Sequence, residues 1–415
     1  MQSERTMDLK TVLTSSPGKI ILHGEHAVVH GTTALASSLN LRSYLQLISS
    51  PDAITLNFPD LDLQGTWDSK TTDETFSALV KYGDDGDAFL DDVALESLKE
   101  FAGLSDDVTT KNLAVIAFLY LYICIFKSKS LSELPGLKAL ATSNLPTGAG
   151  LGSSAAFSSS LAAGLLLVSG TIPVPSDGTD WTKGHYQVIN RWAYQGERVI
   201  HGNPSGIDNA VSVSGGALRY RAKVFEPLDE MPSLKILLVN TNVARSTKVL
   251  VAGVKDRLEK YPGVIRPVFN AIEDISQRCQ SVLASLRKIE NVTSESRDNS
   301  SNCCELYQTM EELIDMNQSF LKILGVSHQT IEHICSVTAE FDIHSKLTGA
   351  GGGGCVFALV RPDFSEETLK KVMAKLKDFG YDSWITSIGG VGVCYHPDVE
   401  DVKKQGFSLP SNFTI

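Results

Sequence analysis

An α+β fold in two domains is what the sequence predicts, on three observations. Strand and helix patterns are interleaved along the chain without the regular βαβα rhythm of a parallel sheet. At 415 residues the chain exceeds the usual size of a single domain. After "EPLDEMPS" (226–233) comes "LKILLVN", a buried-strand pattern that begins a new succession of helices and strands. The boundary is placed there, giving domains 1–231 and 232–415.

Residues 10–60 read as short strands: "TVLTSSPGKIILHGEHAVVHG", then "RSYLQLIS" and "AITLNF". The acidic stretch "KYGDDGDAFLDD" (81–92) reads as a solvated loop, because its carboxylates miss calcium-loop spacing. Helices are predicted over 108–127, 153–169 and 184–201, the last stopping at Gly202 before Asn203-Pro204. The apolar run "AVIAFLYLYICIF" (114–126) is too short for a bilayer and reads as a buried helix. "NVTSESRDNSSN" (291–302) is polar enough to be a surface loop or partly disordered.

Composition narrows the function. The balance of 37 basic and 48 acidic residues gives −11, which argues against nucleic acid or an anionic membrane as main partner. Any anionic ligand must then be met by local positive features. The N-terminus has no apolar signal-peptide core, and the seven scattered cysteines have no CxxC spacing. Both fit a reduced, cytoplasmic protein.

Two glycine-dense stretches need a reason. "PTGAGLGSSAA" (146–156) has glycine at every second position, and "KLTGAGGGGC" (346–355) has five. Each glycine inside an element costs roughly 0.5–1 kcal/mol against alanine, so the five would cost on the order of 2.5–5 kcal/mol. Gly349-x-Gly351-x-x-Gly354 matches the dinucleotide fingerprint but leads into "CVFALV", a strand pattern where a helix is needed. Gly150-x-Gly152-x-x-Ala155 does precede a helix, yet the acids at the right distance, Asp177 and Asp180, lie in a loop. Neither stretch has the lysine of a Walker A loop.

For 146–156 there remains a phosphate loop of different design, in which the free N–H groups and dipole of the following helix form an anion site. The alternative is that Ser153 or Ser154 merely caps that helix. In the next helix, Ile189, Ala193 and Glu197 share one i, i+4 row, so Glu197 extends a mostly apolar stripe. An inward carboxylate needs a cation: Arg198, Arg191 or another arginine, or a metal for which hard oxygen ligands suit Mg²⁺. Ser205-x-x-Asp208 fits a capping box. Lys19 in "SPGKII" alone reads as a solvated lysine. His23, His26 and His30 suggest zinc by type, but Gly24 and Gly31 interrupt any regular helix there.

Taken in order, "SPGKIILHGEHAVVHG", "PTGAGLGSSAA", "GERVIHGNPSGIDNAV" and "KLTGAGGGGC" resemble the GHMP kinase superfamily, and the first stretch resembles its mevalonate-phosphorylating branch. The likeness covers nearly the whole chain; Thr147 departs from it, standing where animal members tend to have a second proline. The resemblance implies a ribosomal protein S5 domain 2-like N-terminal domain, a ferredoxin-like C-terminal domain and an active site between them. It implies ATP phosphates wrapped by Gly148, Ala149, Gly150, Leu151, Gly152, Ser153 and Ser154, with Ser143 and Lys19 near the nucleotide. By the same resemblance Ser154 and Glu197 hold Mg²⁺, Asp208 is the catalytic base and Lys19 stands beside it. Glu25, His26, Thr247 and Ala350 would join Asp208 around mevalonate. Family members are often homodimers inhibited by farnesyl diphosphate competing with ATP. The rival expectations are another superfamily enzyme (phosphomevalonate kinase, diphosphomevalonate decarboxylase or sugar kinase) and a ligand sensor without turnover.

Overall fold

The structure is a computed structural model that describes residues 10–104, 109–129, 131, 133–175, 180–228, 231–244, 246–291 and 298–413. Helices and strands are mixed as the sequence predicts. One large sheet runs in the order Ser345–Leu347, Cys355–Leu359, Leu234–Asn240, Asp382–Ile388, Ala34–Ser50, Gly136–Ser143, Ala53–Phe58, Leu63–Asp68. The strands of the C-terminal half meet those of the N-terminal half where Ile388 pairs with Leu39 and where Cys394–His396 pairs with Thr11–His23. One apolar cluster spans the junction, from Ile20 and Leu39 to Ile236, Phe357 and Ile388.

The first two strands are long, not short as the sequence suggests. Thr11–His23 and Ala34–Ser50 pair antiparallel over nearly their whole length. Ala34–Ser50 is shared along its length, by Gly136–Ser143 at one end and Ala217–Arg221 at the other. The pairing register shifts between Pro17 and Gly18, just before Lys19. Such irregularities re-aim side chains, and this one lies where the cleft begins.

The helix Ser153–Val168 packs on that strand pair, and two more helices pack on it in turn. Thr110–Ser128 is buried from Ala114 to Lys127; it is long and apolar enough to cross a membrane, but most of it lies inside the protein. Ser153–Val168 is buried almost throughout, and its small residues let it lie close. A Cβ on Gly164 would be 3.1 Å from both Leu45 and Leu47. Lys183–His201 is capped by Thr182, whose hydroxyl accepts from the His185 N–H at 3.3 Å.

Two expectations fail in detail. Within 81–92, Lys81–Tyr82 and Ala88–Phe89 form a small hairpin, tied down by Lys81–Asp91 and Arg191–Asp87 ion pairs. Of the polar stretch 291–302, residues 292–297 lie outside the described residues, but Asp298 already begins the helix Asp298–Ile323. Asp177 also lies outside the described residues. None of the seven cysteines is in a disulfide.

Candidate active site

A cleft of about 630 Å³ opens between the halves, lined by residues of both. It brings together Lys19, Ser143, Gly148, Gly150, Gly152, Ser153, Ser154 and Asp208 with Glu25, His26, Thr247 and Ala350. Ala149 and Leu151 are buried in the apolar cluster behind the loop, and Glu197 is buried beside it.

The first glycine stretch has a backbone reason for its spacing. Gly148, Gly150 and Gly152 have φ of +71°, +78° and +74°, the left-handed region that glycine occupies without strain. Alternating handedness turns successive N–H groups toward one side, an anion-binding concavity. Gly152 is also the residue before the helix Ser153–Val168, with no side-chain cap. Neither Ser153 nor Ser154 caps the helix, so the bland reading of these serines fails. The Leu151 carbonyl accepts from the Lys19 N–H at 2.8 Å, and a Cβ on Gly152 would be 3.0 Å from Lys19 Cγ. Gly152 thus lets the lysine stem pass beneath the loop.

Lys19 is not a solvated lysine. Its side chain is buried, and Nζ lies 3.2 Å from Asp208 Oδ1. The capping box is not formed either. The residue before the helix Ile207–Ser214 is Gly206, at φ +82°, and Asp208 is the second helical residue. Its side chain is therefore free to face Lys19 and the cleft.

Among the described residues no arginine pairs with Glu197. Arg191 pairs with Asp87 and Arg198 bonds Gln195, leaving Glu197 Oε1 buried without a hydrogen-bond partner. Its Oε2 is 3.8 Å from His201 Nε2, which lies 3.0 Å from Ser154 Oγ. Burial first, and the Asp208 charge second, push the Glu197 carboxyl up to about 8; the Ser154 hydroxyl and Lys19 oppose this. A hydroxyl and an orphaned carboxylate oxygen form a hard oxygen donor set, which fits Mg²⁺.

The second glycine stretch packs closely on backbone. A Cβ on Gly351 would be 2.1 Å from the Val326 carbonyl oxygen, and one on Gly353 2.5 Å from that of Val243. The close approach is to the backbone of the C-terminal half, not to the first loop. Gly349 and Ala350 reach the cleft, where the Ala350 oxygen lies 2.8 Å from His26 Nε2.

Glu25 differs from expectation. Its carboxylate is fully buried, accepting from Lys346 Nζ and, at 3.1 Å, from Asn317 Nδ2. Burial pushes the Glu25 carboxyl up and the Lys346 ammonium down, against their mutual attraction. The three histidines do not converge: His23 meets Asn317, His26 meets Ala350, and His30 stacks on Phe269.

Sequence reasoning missed His201, Asp60 and Lys346. His201 continues the Ile189, Ala193, Glu197 row by one more step of four, so the signal was available. Asp60 accepts from the Ser143 N–H at 2.6 Å and lines the cleft, with no motif to announce it. Lys346 heads the second glycine stretch.

Comparison with known proteins agrees with this geometry. Residues 112–216 match the GHMP kinases N terminal domain, and residues 304–382 the GHMP kinases C terminal domain. Mevalonate kinase of Bos taurus is 47% identical over 93% of this chain and 95% of its own length. The chain belongs to the mevalonate kinase branch of the GHMP kinase family. Mevalonate kinase of Homo sapiens is 45% identical over the same shares, 93% and 95%. The L. major mevalonate kinase structure, solved in complex with R-mevalonate, superposes with a TM-score of 0.64 at 18% identity, covering 94% of this chain and all of that one. At that identity the likeness speaks for the GHMP fold alone.

Proposed function

We propose that the chain transfers the γ-phosphoryl group of ATP to the C5 hydroxyl of mevalonate, giving 5-phosphomevalonate and ADP for isoprenoid and sterol synthesis. The observation that carries this is the Lys19–Asp208 pair standing beside three left-handed glycines and a helix N-terminus in one cleft. Phosphoryl transfer asks for positioning and charge neutralisation more than for covalent help. The N–H groups of 148–154 hold the phosphates, with Ser143 and the apolar Phe58, Leu113 and Phe157 beyond them toward the base. Asp208 accepts the hydroxyl proton as the oxygen bonds to phosphorus and ADP leaves. Lys19 stands 3.2 Å from Asp208 and faces the developing charge.

Ser154 and Glu197 would hold Mg²⁺, which supplies electrostatic stabilisation of the phosphates when bound. Thr247, Ala350 and His26 would border mevalonate, with Glu25 acting from behind that wall. The division at 231/232 would separate the domains, since the strand Leu234–Asn240 is the first laid in the C-terminal half. A homodimer in the cytoplasm and inhibition by farnesyl diphosphate at the nucleotide end belong to the same reading.

A coupled ADP-release assay with mevalonate, phosphomevalonate, homoserine and galactose, with and without Mg²⁺, tests it. Mg²⁺-dependent turnover with mevalonate alone is expected. Preference for another acceptor would assign the site to another GHMP chemistry, and binding without turnover would make the chain a sensor.

A further inference from the structure

Behind the wall that His26 and Ala350 give the cleft, four polar side chains are closed off together: His23, Glu25, Asn317 and Lys346. Lys346 Nζ donates to Glu25 Oε1 and, at 2.8 Å, to the Leu347 carbonyl, with the Phe357 ring centroid 5.1 Å away. Asn317 Nδ2 reaches Glu25 Oε2 and His23 Nδ1, each at 3.1 Å. Apolar side chains in place of such a buried pair are often neutral or stabilising, so stability does not account for the charges.

What the pair joins does account for them. Glu25 precedes His26, whose φ of +59° lies in a region that costs a residue with a side chain about 1–2 kcal/mol. No side-chain bond caps the short helical turn that begins there. Lys346 lies in the strand Ser345–Leu347, whose end leads straight to Ala350. The same two segments are tied once more by Thr348, whose hydroxyl accepts from the Ile21 N–H at 2.8 Å and donates to the Ile21 carbonyl at 3.0 Å. The Leu347 N–H is held by Gln318 Oε1 at 3.0 Å. Both ends of the His26–Ala350 contact are therefore anchored through one buried link.

We infer that Lys346 is a positioning residue, holding His26 and Ala350 in place through the Glu25 carboxylate as one wall of the acceptor-alcohol end of the cleft. The inference rests on the reading of that end as the mevalonate site. Positions fixed this way matter because a displacement of an ångström at a binding wall is enough to lower turnover or affinity sharply.

The test compares Lys346→Met with the pair Glu25→Gln/Lys346→Met. The single change strands a buried carboxylate and should destabilise the protein; the double change should recover most of that stability. In the double variant the KM for mevalonate should rise tenfold or more while the KM for ATP stays within twofold. Amide exchange should quicken at 24–28 and 348–351 and stay unchanged on the strand Ala34–Ser50. A folded double variant with wild-type mevalonate KM and wild-type exchange overturns the inference. Should the double variant not fold, Glu25→Asp keeps the charges but shortens the link, and an unchanged mevalonate KM there has the same force. If the wild-type protein does not use mevalonate, the proposed function fails, while the exchange experiment still decides whether Lys346 holds the wall.

Discussion

Gly148→Ala and Gly351→Ala are the same chemical change at nearly the same backbone angle, φ +71° and +74°, yet the structure assigns them different costs. Holding an alanine in the left-handed region costs about 1–2 kcal/mol at either place. At Gly148 that is all, because a Cβ would meet nothing within 4 Å. At Gly351 the Cβ would lie 2.1 Å from the Val326 carbonyl oxygen, which already accepts from the Gly352 N–H at 2.7 Å. A backbone acceptor in a hydrogen bond cannot swing aside as a side chain can. Overpacking of this kind adds about 1–3 kcal/mol, so Gly351→Ala should cost about 2–5 kcal/mol in all. Urea denaturation measures both variants, with the slope checked for constancy. The kinetics should divide the other way: Gly148→Ala raises the KM for ATP by tilting the N–H groups, and Gly351→Ala leaves it near wild type. Equal stability losses, or a selective ATP defect in Gly351→Ala, would refute the division of the two loops into a phosphate cradle and a packing seam.

Asp208→Asn keeps the size of the side chain but cannot accept the proton, so turnover should fall by about 10²–10⁴ with much smaller changes in either KM; steady-state kinetics with unchanged turnover would end its role as base. Glu197→Gln should raise the Mg²⁺ concentration needed for half-maximal rate, read from a metal titration at fixed ATP, with the fold retained. His396 supplies an acid-side prediction. It is fully buried between Ser15 Oγ at 2.8 Å and Asp401 Oδ2 at 3.1 Å, and burial lowers its pKa to about 4, with the Arg42 charge adding to that and Asp401 opposing it. Between pH about 6.5 and 4 the unfolded chain binds a proton there that the folded chain does not, so stability should fall as pH drops, by as much as about 3 kcal/mol. His396→Gln should flatten that slope in denaturation curves taken from pH 7 to 4; an unchanged slope would rule His396 out as its source.

The parts of the site that could be read from the sequence are those whose chemistry is local. Alternating glycines before a run of small residues announce a loop and a helix start. A carboxylate on an apolar row announces a buried charge. What stayed hidden depends on register or on contacts across the chain. The spacing Ser205-x-x-Asp208 looks like a cap, but Gly206 takes the left-handed position and starts the helix one residue later, which releases Asp208 to Lys19. The partner of Glu25 is 321 residues away, and no local pattern connects it to Lys346. The second glycine stretch showed that a backbone must come close, but not that the neighbour is Val326 and Val243. The first strand is longer than its sequence suggests because the sheet absorbs Pro17 and Gly18 in a register shift.

The charge of the cleft connects these residues into one argument. Among the described residues lining it, Lys19 is the single lysine or arginine, in a chain of net −11. Burial holds the His201 imidazole toward its neutral form. A triphosphate brings several negative charges, and a helix N-terminus offsets about half of one. Even Lys19 is committed, because its ammonium is paired with the Asp208 carboxylate. In the proposed reaction the remaining charge would be met by a divalent cation beside Glu197 Oε1, a buried carboxylate oxygen without a hydrogen-bond partner among the described residues. Transfer changes that balance. When Asp208 takes the hydroxyl proton in the proposed reaction, the Lys19–Asp208 pair goes from neutral to net positive at the moment the phosphoryl group carries charge between two oxygens. Lys19 is thereby weakly available to the ground state and fully available to the transition state, which is the differential interaction that raises a rate. A lysine without Asp208 would attract ATP more strongly and accelerate its transfer less.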